Sequence, residues 1–245
     1  SGTAHEATPV STARAPLRSL DEALAELMAH ARPLPDVERV ATFDADGRVL
    51  AQEVVSGLQV PPQDNSSMDG YALRVADVPA AGVVLPVTQR IAAGQVGAPL
   101  APASAARIFT GASVPEGADT IVMQEQTEAV GDEAVRFATV PQAGQWIRRR
   151  GEDVHAGATV LSRGARLTPQ ALGLAATVGA ATLAVVRRPR VAQFSTGAEL
   201  VMPGAVAPEA LPPGAIYNSN RFTLRGLLRA AGCEVTDLGI VPDRL

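Results

Sequence analysis

The chain has 245 residues, 47% of them apolar and 19% charged, with a formal charge of −4. That balance is ordinary for a foldable globular protein, and the slight acidic excess gives no electrostatic reason to expect nucleic acid or a polybasic membrane contact. Every basic side chain is Arg, which excludes a Schiff-base or P-loop lysine within this segment, and no apolar run approaches the roughly 20 residues that span a bilayer.

In chain order, residues 1–16 are small, polar and proline-containing, and read as a flexible leader. Ser19 and Glu22 then have capping-box spacing, and Leu20, Leu24, Leu27 and Met28 fall on one face of the helix they open. Pro33 and Pro35 stop that helix. Short apolar segments such as 49–55 follow, broken by Gly and Pro. From 61 to 151 the texture is β-like: 83–85, 107–109 and 120–123 are β-compatible runs, punctuated by Gly94, Gly97, Gly117, Gly131 and several prolines. This pattern predicts a small barrel or sandwich. Thr168 before Pro169 opens a second helix that should end near Gly179. A strand over 191–194, the Thr196-Gly197 turn, a helix over 219–231 stopped by Gly232 and a strand over 234–240 read as the start of a parallel α/β sheet. Two strands do not complete such a sheet, whose faces both need cover, so the reading leaves it unfinished at Leu245. Cys233 is the single cysteine; no internal disulfide is available, a reducing cytoplasm is the default, and its apolar neighbours predict a core position.

Four stretches could carry chemistry. The run from Asp64 through Asn65, Ser66, Ser67, Met68, Asp69 and Gly70 is dense in turn formers and oxygen acceptors. It reads either as a loop presenting Asp64 or Asp69 to a cation or polar ligand, or as a plain surface turn. Phe109-Thr110-Gly111 could leave backbone N–H groups free for an anion, as in a nest, or be an ordinary strand-to-loop connection. Arg148, Arg149 and Arg150 could bind phosphate, with Glu152 and Asp153 holding Mg²⁺ or orienting the arginines; a solvated charge run is the alternative. Ser195-Thr196-Gly197-Ala198-Glu199 lies at the carboxyl end of a presumed parallel strand, where open α/β sheets bind ligands. Asn218, Ser219 and Asn220 either cap the next helix or leave its N-terminus to an anion. No nucleotide-binding glycine loop, nucleophile elbow or metal spacing of His5, His30 and His155 is present. The residues alone point to a polar, phosphate- or metal-linked site without naming a reaction.

Taken together and in order, D-N-S-x-M-D-G-Y-A, T-G-x-x-V-P-x-G-x-D, V-M-Q-E-Q, R-R-x-G-E-D and F-S-T-G-x-E-L resemble the molybdopterin molybdenumtransferases, the family of the bacterial MoeA proteins and the E domain of gephyrin. The resemblance runs from about Leu17 to Leu245. It implies the last step of molybdenum-cofactor synthesis: adenylylated molybdopterin and molybdate react, the adenylate is hydrolysed, and the metal enters the dithiolene with support from Mg²⁺ or another divalent cation.

The implied fold is α+β and multidomain. A discontinuous helical and β domain covers 17–60 and 152–188, a β-rich domain is inserted at 61–151, and a molybdopterin-binding-like α/β domain with a parallel sheet begins at 189. The implied assembly is an elongated homodimer, and the molybdopterin adenylyltransferase is a candidate partner. Carried over residue by residue, Asp69, Thr110, Asp153 and Glu199 are the catalytic positions, Asp69 and Glu199 the metal positions, and Ser195, Thr196, Gly197 and Asn220 the cofactor-binding positions. The sequence departs from the family at Ala198, where Asp is usual, which puts one carboxylate of that turn in doubt. The family's S-G-G-x-S, K-P-G-K-P and P-G-N-P segments do not occur in these residues, so this segment alone is expected to be inactive. The rival reading is an interaction scaffold of the gephyrin type.

Overall fold

The computed structural model describes residues 17–242; the leader expected over 1–16 lies outside the described residues. The chain divides after Pro35 into two compact units. In the first, helix α1 (Leu20–His30) forms where the capping box places it: Ser19 Oγ accepts from Glu22 N at 3.2 Å, and Ser19 N donates to the Glu22 carboxylate at 2.8 Å. None of its residues is buried, and Leu20, Leu24, Leu27 and Met28 make an exposed apolar stripe.

The second unit opens with β1 (Val37–Ala41) and β2 (Val54–Val55), then β3 (Asn65–Ser66) and β4 (Gly70–Leu73). Strands β5 (Val84–Ile91), β6 (Ala105–Ile108), β7 (Thr120–Met123), β8 (Thr127–Val130) and β9 (Ala134–Phe137) follow. Six of these strands form one sheet in the order β7-β4-β6-β5-β9-β8. The β texture was legible, but the barrel or sandwich resolves as a single sheet that turns a corner at β5. Val84 to Pro86 pair antiparallel with β9, whereas Val87 to Ile91 pair parallel with β6 across a register shift. An irregularity of this kind bends a strand and sharpens its twist. The bend leaves two apolar clusters. One holds Ala72, Ile91, Ala106, Ile108 and Ile121; the other holds Leu73, Leu85, Ala105, Val122, Val135 and Phe137. With few aromatics available, fully buried alanines let the strands' side chains interdigitate at short range.

After β10 (Ile147–Arg148), which pairs with β3, come β11 (Thr159–Leu161), α2 (Pro169–Thr177) and β12 (Thr182–Val186). Strand β12 pairs with β1 and β11 with β2, so the chain leaves this region after β2 and returns to it at β11. Ala45, Leu50, Leu167, Ala175, Leu183 and Val185 close a third core here. Helix α2 begins at the expected N-cap, where Thr168 Oγ1 accepts from Ala171 N at 3.2 Å, and stops before Gly179 at φ +80°.

The last stretch contains β13 (Arg190–Ser195), β14 (Leu200–Val201), β15 (Ile216–Tyr217), α3 (Asn220–Ala230) and β16 (Glu234–Ile240). Strands β13 and β16 are parallel, as the strand–helix–strand pattern predicts, and α3 is the crossover. Of the three residues offered as caps, Asn218 does the work: its Oδ1 accepts from Arg221 N at 3.4 Å, whereas the Ser219 side chain makes no capping bond. Cys233 corrects an expectation. It is half-buried, not in a core, because it follows the Gly232 turn at the end of α3 and precedes β16.

Candidate functional site: an acidic tip bound by a threonine loop

The Asp64-to-Ala72 run is not one loop. Strands β3 and β4 bracket a three-residue turn, tied by Ser66 Oγ, which donates to Met68 O at 2.6 Å. Gly70 belongs to β4, not to the turn. A Cβ at this position would lie 1.9 Å from the Val122 carbonyl oxygen on β7, so only glycine lets the two strands pair here. Asp69 is thereby fixed at the tip, one residue before β4, which lies between β7 and β6 in the sheet.

Thr110, which follows β6, meets it there. Asp69 Oδ1 accepts from Thr110 N at 2.8 Å and from the Thr110 hydroxyl at 2.8 Å. The backbone N–H of Thr110 first, its hydroxyl second and the nearby Arg107 guanidinium hold the Asp69 carboxyl below the usual aspartate range. Of the two alternatives for the Thr110-Gly111 segment, the nest with free N–H groups is not formed. Thr110 N is taken by Asp69, Gly111 N by Ser66 O and Ala112 N by Phe109 O. The anion that fills this turn is the protein's own carboxylate. With its proton committed to Asp69, the Thr110 hydroxyl offers oxygen lone pairs outward, and Asp69 Oδ2 has no hydrogen-bond donor among the described residues.

Two of the three arginine side chains, Arg148 and Arg149, are held by acids, and Arg150 is engaged through its backbone N–H. Arg148 donates from Nε to Glu152 at 3.1 Å and from its terminal nitrogen to Asp153 at 2.5 Å. Arg149 reaches Asp64 at 2.7 Å, and Arg150 N donates to the same carboxylate at 2.8 Å. Partial burial pushes the Asp64 carboxyl up, but Arg150 N–H and the Arg149 guanidinium outweigh it and hold Asp64 low. Of the alternatives for this stretch, the geometry has the acids orienting the arginines. Strand β10 carries Arg148 alongside β3, opposite Asn65, four residues before Asp69.

At the end of β13, Gly197 adopts φ +145° and the Glu199 carboxylate folds back against it, so close that a Cβ there would come within 2.6 Å of an oxygen. Ser195 Oγ accepts from the buried Asn218 Nδ2 at 3.0 Å. Below them Asp237 accepts from Gly239 N, Arg221 Nε and Gln193 Nε2; the Gly239 N–H chiefly keeps its carboxyl below the usual range. Asn220 opens α3 and is exposed.

The structure thus brings Asp69 and Thr110 into contact and sets Asp153 in the bend that follows β10, paired with Arg148. No hydrogen bond or ion pair links Glu199, Ser195, Thr196, Gly197 or Asn220 to them among the described residues. No group of three or more His, Cys, Asp or Glu side chains is gathered among the described residues. Arg107 and Gln124 were missed from sequence. Arg107 donates to Gln124 Oε1 at 2.6 Å and to Gly70 O at 3.1 Å, beside Asp69. Its position two residues before Phe109 on a strand was visible; its partner strand was not.

Comparison with known proteins shows what the chain is similar to. Residues 18–179 match the family model described as the MoeA N-terminal region, domain I and II. A molybdopterin molybdenumtransferase of Haemophilus influenzae is 41% identical over 227 residues, covering 92% of this chain and 55% of that protein. Molybdopterin molybdenumtransferase 2 of Mycobacterium tuberculosis is 45% identical over 236 residues, covering 93% and 56%. The crystal structure of a molybdopterin biosynthesis MoeA protein from Pyrococcus horikoshii superposes with a TM-score of 0.82 at 32% identity, covering 91% of this chain and 60% of that one. The chain spans about half the length of the curated relatives it matches.

Proposed function

The chain belongs to the MoeA family, and from that premise we propose that the protein containing it inserts molybdate into adenylylated molybdopterin with release of AMP. The observation that carries the reading is the Asp69–Thr110 pair, formed by two motifs that lie 41 residues apart in sequence and meet where β4 begins and β6 ends. Asp69 is anionic at neutral pH and is therefore suited to holding a cation or an orienting hydrogen bond, not to donating a proton. Thr110 keeps the carboxylate in place and presents its own oxygen to the substrate. Asp153 fixes Arg148, whose remaining N–H groups suit a phosphate oxygen. Glu199, Ser195, Thr196, Gly197 and Asn220 form the pterin-side set at the carboxyl end of β13.

Mg²⁺ commonly takes one or two protein carboxylates and completes its shell with water and substrate phosphates. Asp69 Oδ2 and Glu199 suit that sparse mode, and the ion would neutralise charge on the adenylate phosphates. The domain division at 17–60 with 152–188, at 61–151 and from 189 is proposed with it, supported by the β1–β12 and β2–β11 pairings and the three separate apolar clusters. Among the described residues no helix is long and apolar enough to cross a membrane. We place the protein in the cytoplasm as a homodimer, with the molybdopterin adenylyltransferase as the supplier of its substrate.

Complementation tests the reading. The full-length gene should restore molybdoenzyme activity to a strain that cannot insert molybdenum, and Asp69→Ala should abolish the rescue while the protein still accumulates. Accumulation of folded wild type without rescue would refute the proposal.

A further inference from the structure

The V-M-Q-E-Q motif has no part in the reaction outlined above, yet the structure sets its Gln124 against the peptide that carries Asp69. Gln124 directly follows β7, the strand that pairs with β4. Its backbone N–H donates to Asp69 O at 3.0 Å, and its side-chain Oε1 accepts from Arg107 at 2.6 Å. The other terminal nitrogen of Arg107 donates to Gly70 O at 3.1 Å, on the residue after Asp69. Three hydrogen bonds thus close a circuit: Asp69 O to Gln124, Gln124 to Arg107, and Arg107 back to the chain at Gly70.

Arg107 lies on β6, three residues before Thr110, whose N–H and hydroxyl hold the Asp69 carboxylate. One segment, 107–110, therefore grips the tip twice, at its side chain and at its backbone. A planar guanidinium can span two acceptors in fixed geometry. Here its plane is steadied by two rings, with Arg107 Cζ 4.7 Å from the centre of Phe109 and 5.2 Å from that of Tyr71. Arg90 stacks on the same Phe109 ring at 4.4 Å but makes no hydrogen bond or ion pair with any described residue. Such a brace matters at the end of a short turn, because misplacing a reacting group by about 1 Å can slow a reaction by about two orders of magnitude.

We propose that Arg107 and Gln124 are positioning residues for the reaction, which hold the Asp69 peptide in place through the closed hydrogen-bond circuit without touching substrate themselves. Their effect on rate rests on the molybdenum-insertion reading, whereas the brace itself does not.

Kinetics and hydrogen–deuterium exchange on full-length variants test it. Arg107→Met should lower kcat by about ten- to a hundredfold. KM for adenylylated molybdopterin should stay within about threefold of wild type, because orientation is lost and substrate contact is not. Gln124→Met should slow turnover less, and the double variant should be no slower than Arg107→Met, since both changes open one circuit. Arg107→Lys keeps the charge without the fork and should not restore the rate. Arg90→Met, which alters the Phe109 stack but no hydrogen bond, should keep wild-type kcat. Exchange at the Gln124 amide should quicken on the order of tenfold in Arg107→Met, while exchange in α2 stays unchanged. Wild-type kcat in Arg107→Met, full activity in Arg107→Lys, additive losses in the double variant, a rise in KM that matches the fall in kcat, or an equal loss in Arg90→Met would overturn the role. Should Arg107→Met not fold, the exposed Gln124 decides, and normal kcat in Gln124→Met refutes the proposal. If the wild type itself inserts no molybdenum, the reaction falls and exchange alone judges the brace: faster exchange at Gln124 upholds it, and unchanged exchange removes it.

Discussion

Asp69 is only half-buried, yet its carboxyl is held below the usual aspartate range, because one oxygen accepts two hydrogen bonds from a single residue. A group that loses its proton more readily in the fold than in the unfolded chain contributes stability above its unfolded pKa. That contribution disappears as pH falls through the lowered folded value. Thr110→Val removes the hydroxyl and keeps the backbone N–H, which is the larger cause. The Asp69 carboxyl carbon, followed by NMR in an acid titration, should therefore move part of the way back toward an ordinary aspartate. An unchanged titration would show that the hydroxyl bond is not made in solution. At this scale the residues alone offered Asp69 and Thr110 as separate candidates; the family resemblance put them in one site but gave no bond between them. The choice between an anion nest and a plain connection stayed open in the sequence for the same reason: which carboxylate reaches a backbone N–H depends on a contact 41 residues away.

Elements were more legible than contacts, where their signals are local. Helix α2 follows from Thr168 and Pro169: the side chain caps Ala171 N, and the missing proline N–H costs nothing at the first helical position. Thr168→Ala should lower stability by about 1 kcal/mol, the typical loss for an N-cap, because α2 buries Ala175 in the third core. Thr168→Ser should restore most of it, since it returns the acceptor. Urea denaturation followed by circular dichroism checks both, and equal stability of Thr168→Ala and wild type would contradict the cap. By contrast, the six-stranded sheet was read only as β texture. Strand β5 pairs with β9 through one half and with β6 through the other, and nothing in 84–91 announces the change of partner. Register is set by which faces the whole sheet buries, not by any strand alone.

For the whole molecule, the proposed assembly makes a genetic prediction. Asp69 and Glu199 share no bond among the described residues, and in a two-fold dimer a site can draw on both chains. Full-length Asp69→Ala and Glu199→Ala should each be weak alone. Co-expressed, they should recover about a quarter of wild-type activity, because about half the dimers are mixed and one of each mixed dimer's two sites is intact. Mixtures no more active than the weaker parent, after confirmed subunit exchange, would exclude a site shared between chains.

The sequence by itself determined the capped helices α1 and α2, the parallel start of the α/β region and, through five ordered motifs, the family. These are signals in which each residue acts on neighbours a few positions away, or in which a motif is read as a string. Only the tertiary structure decided that Asp69 fills the Thr110 turn, that Asp64 and Asp153 are taken up by arginines, and that Arg90, Phe109 and Arg107 stack on one sheet face. Each of those contacts joins separate strands or loops across the fold. Their partners are chosen by strand register and by the burial of apolar clusters on both faces of a bent sheet, a balance summed over the whole domain.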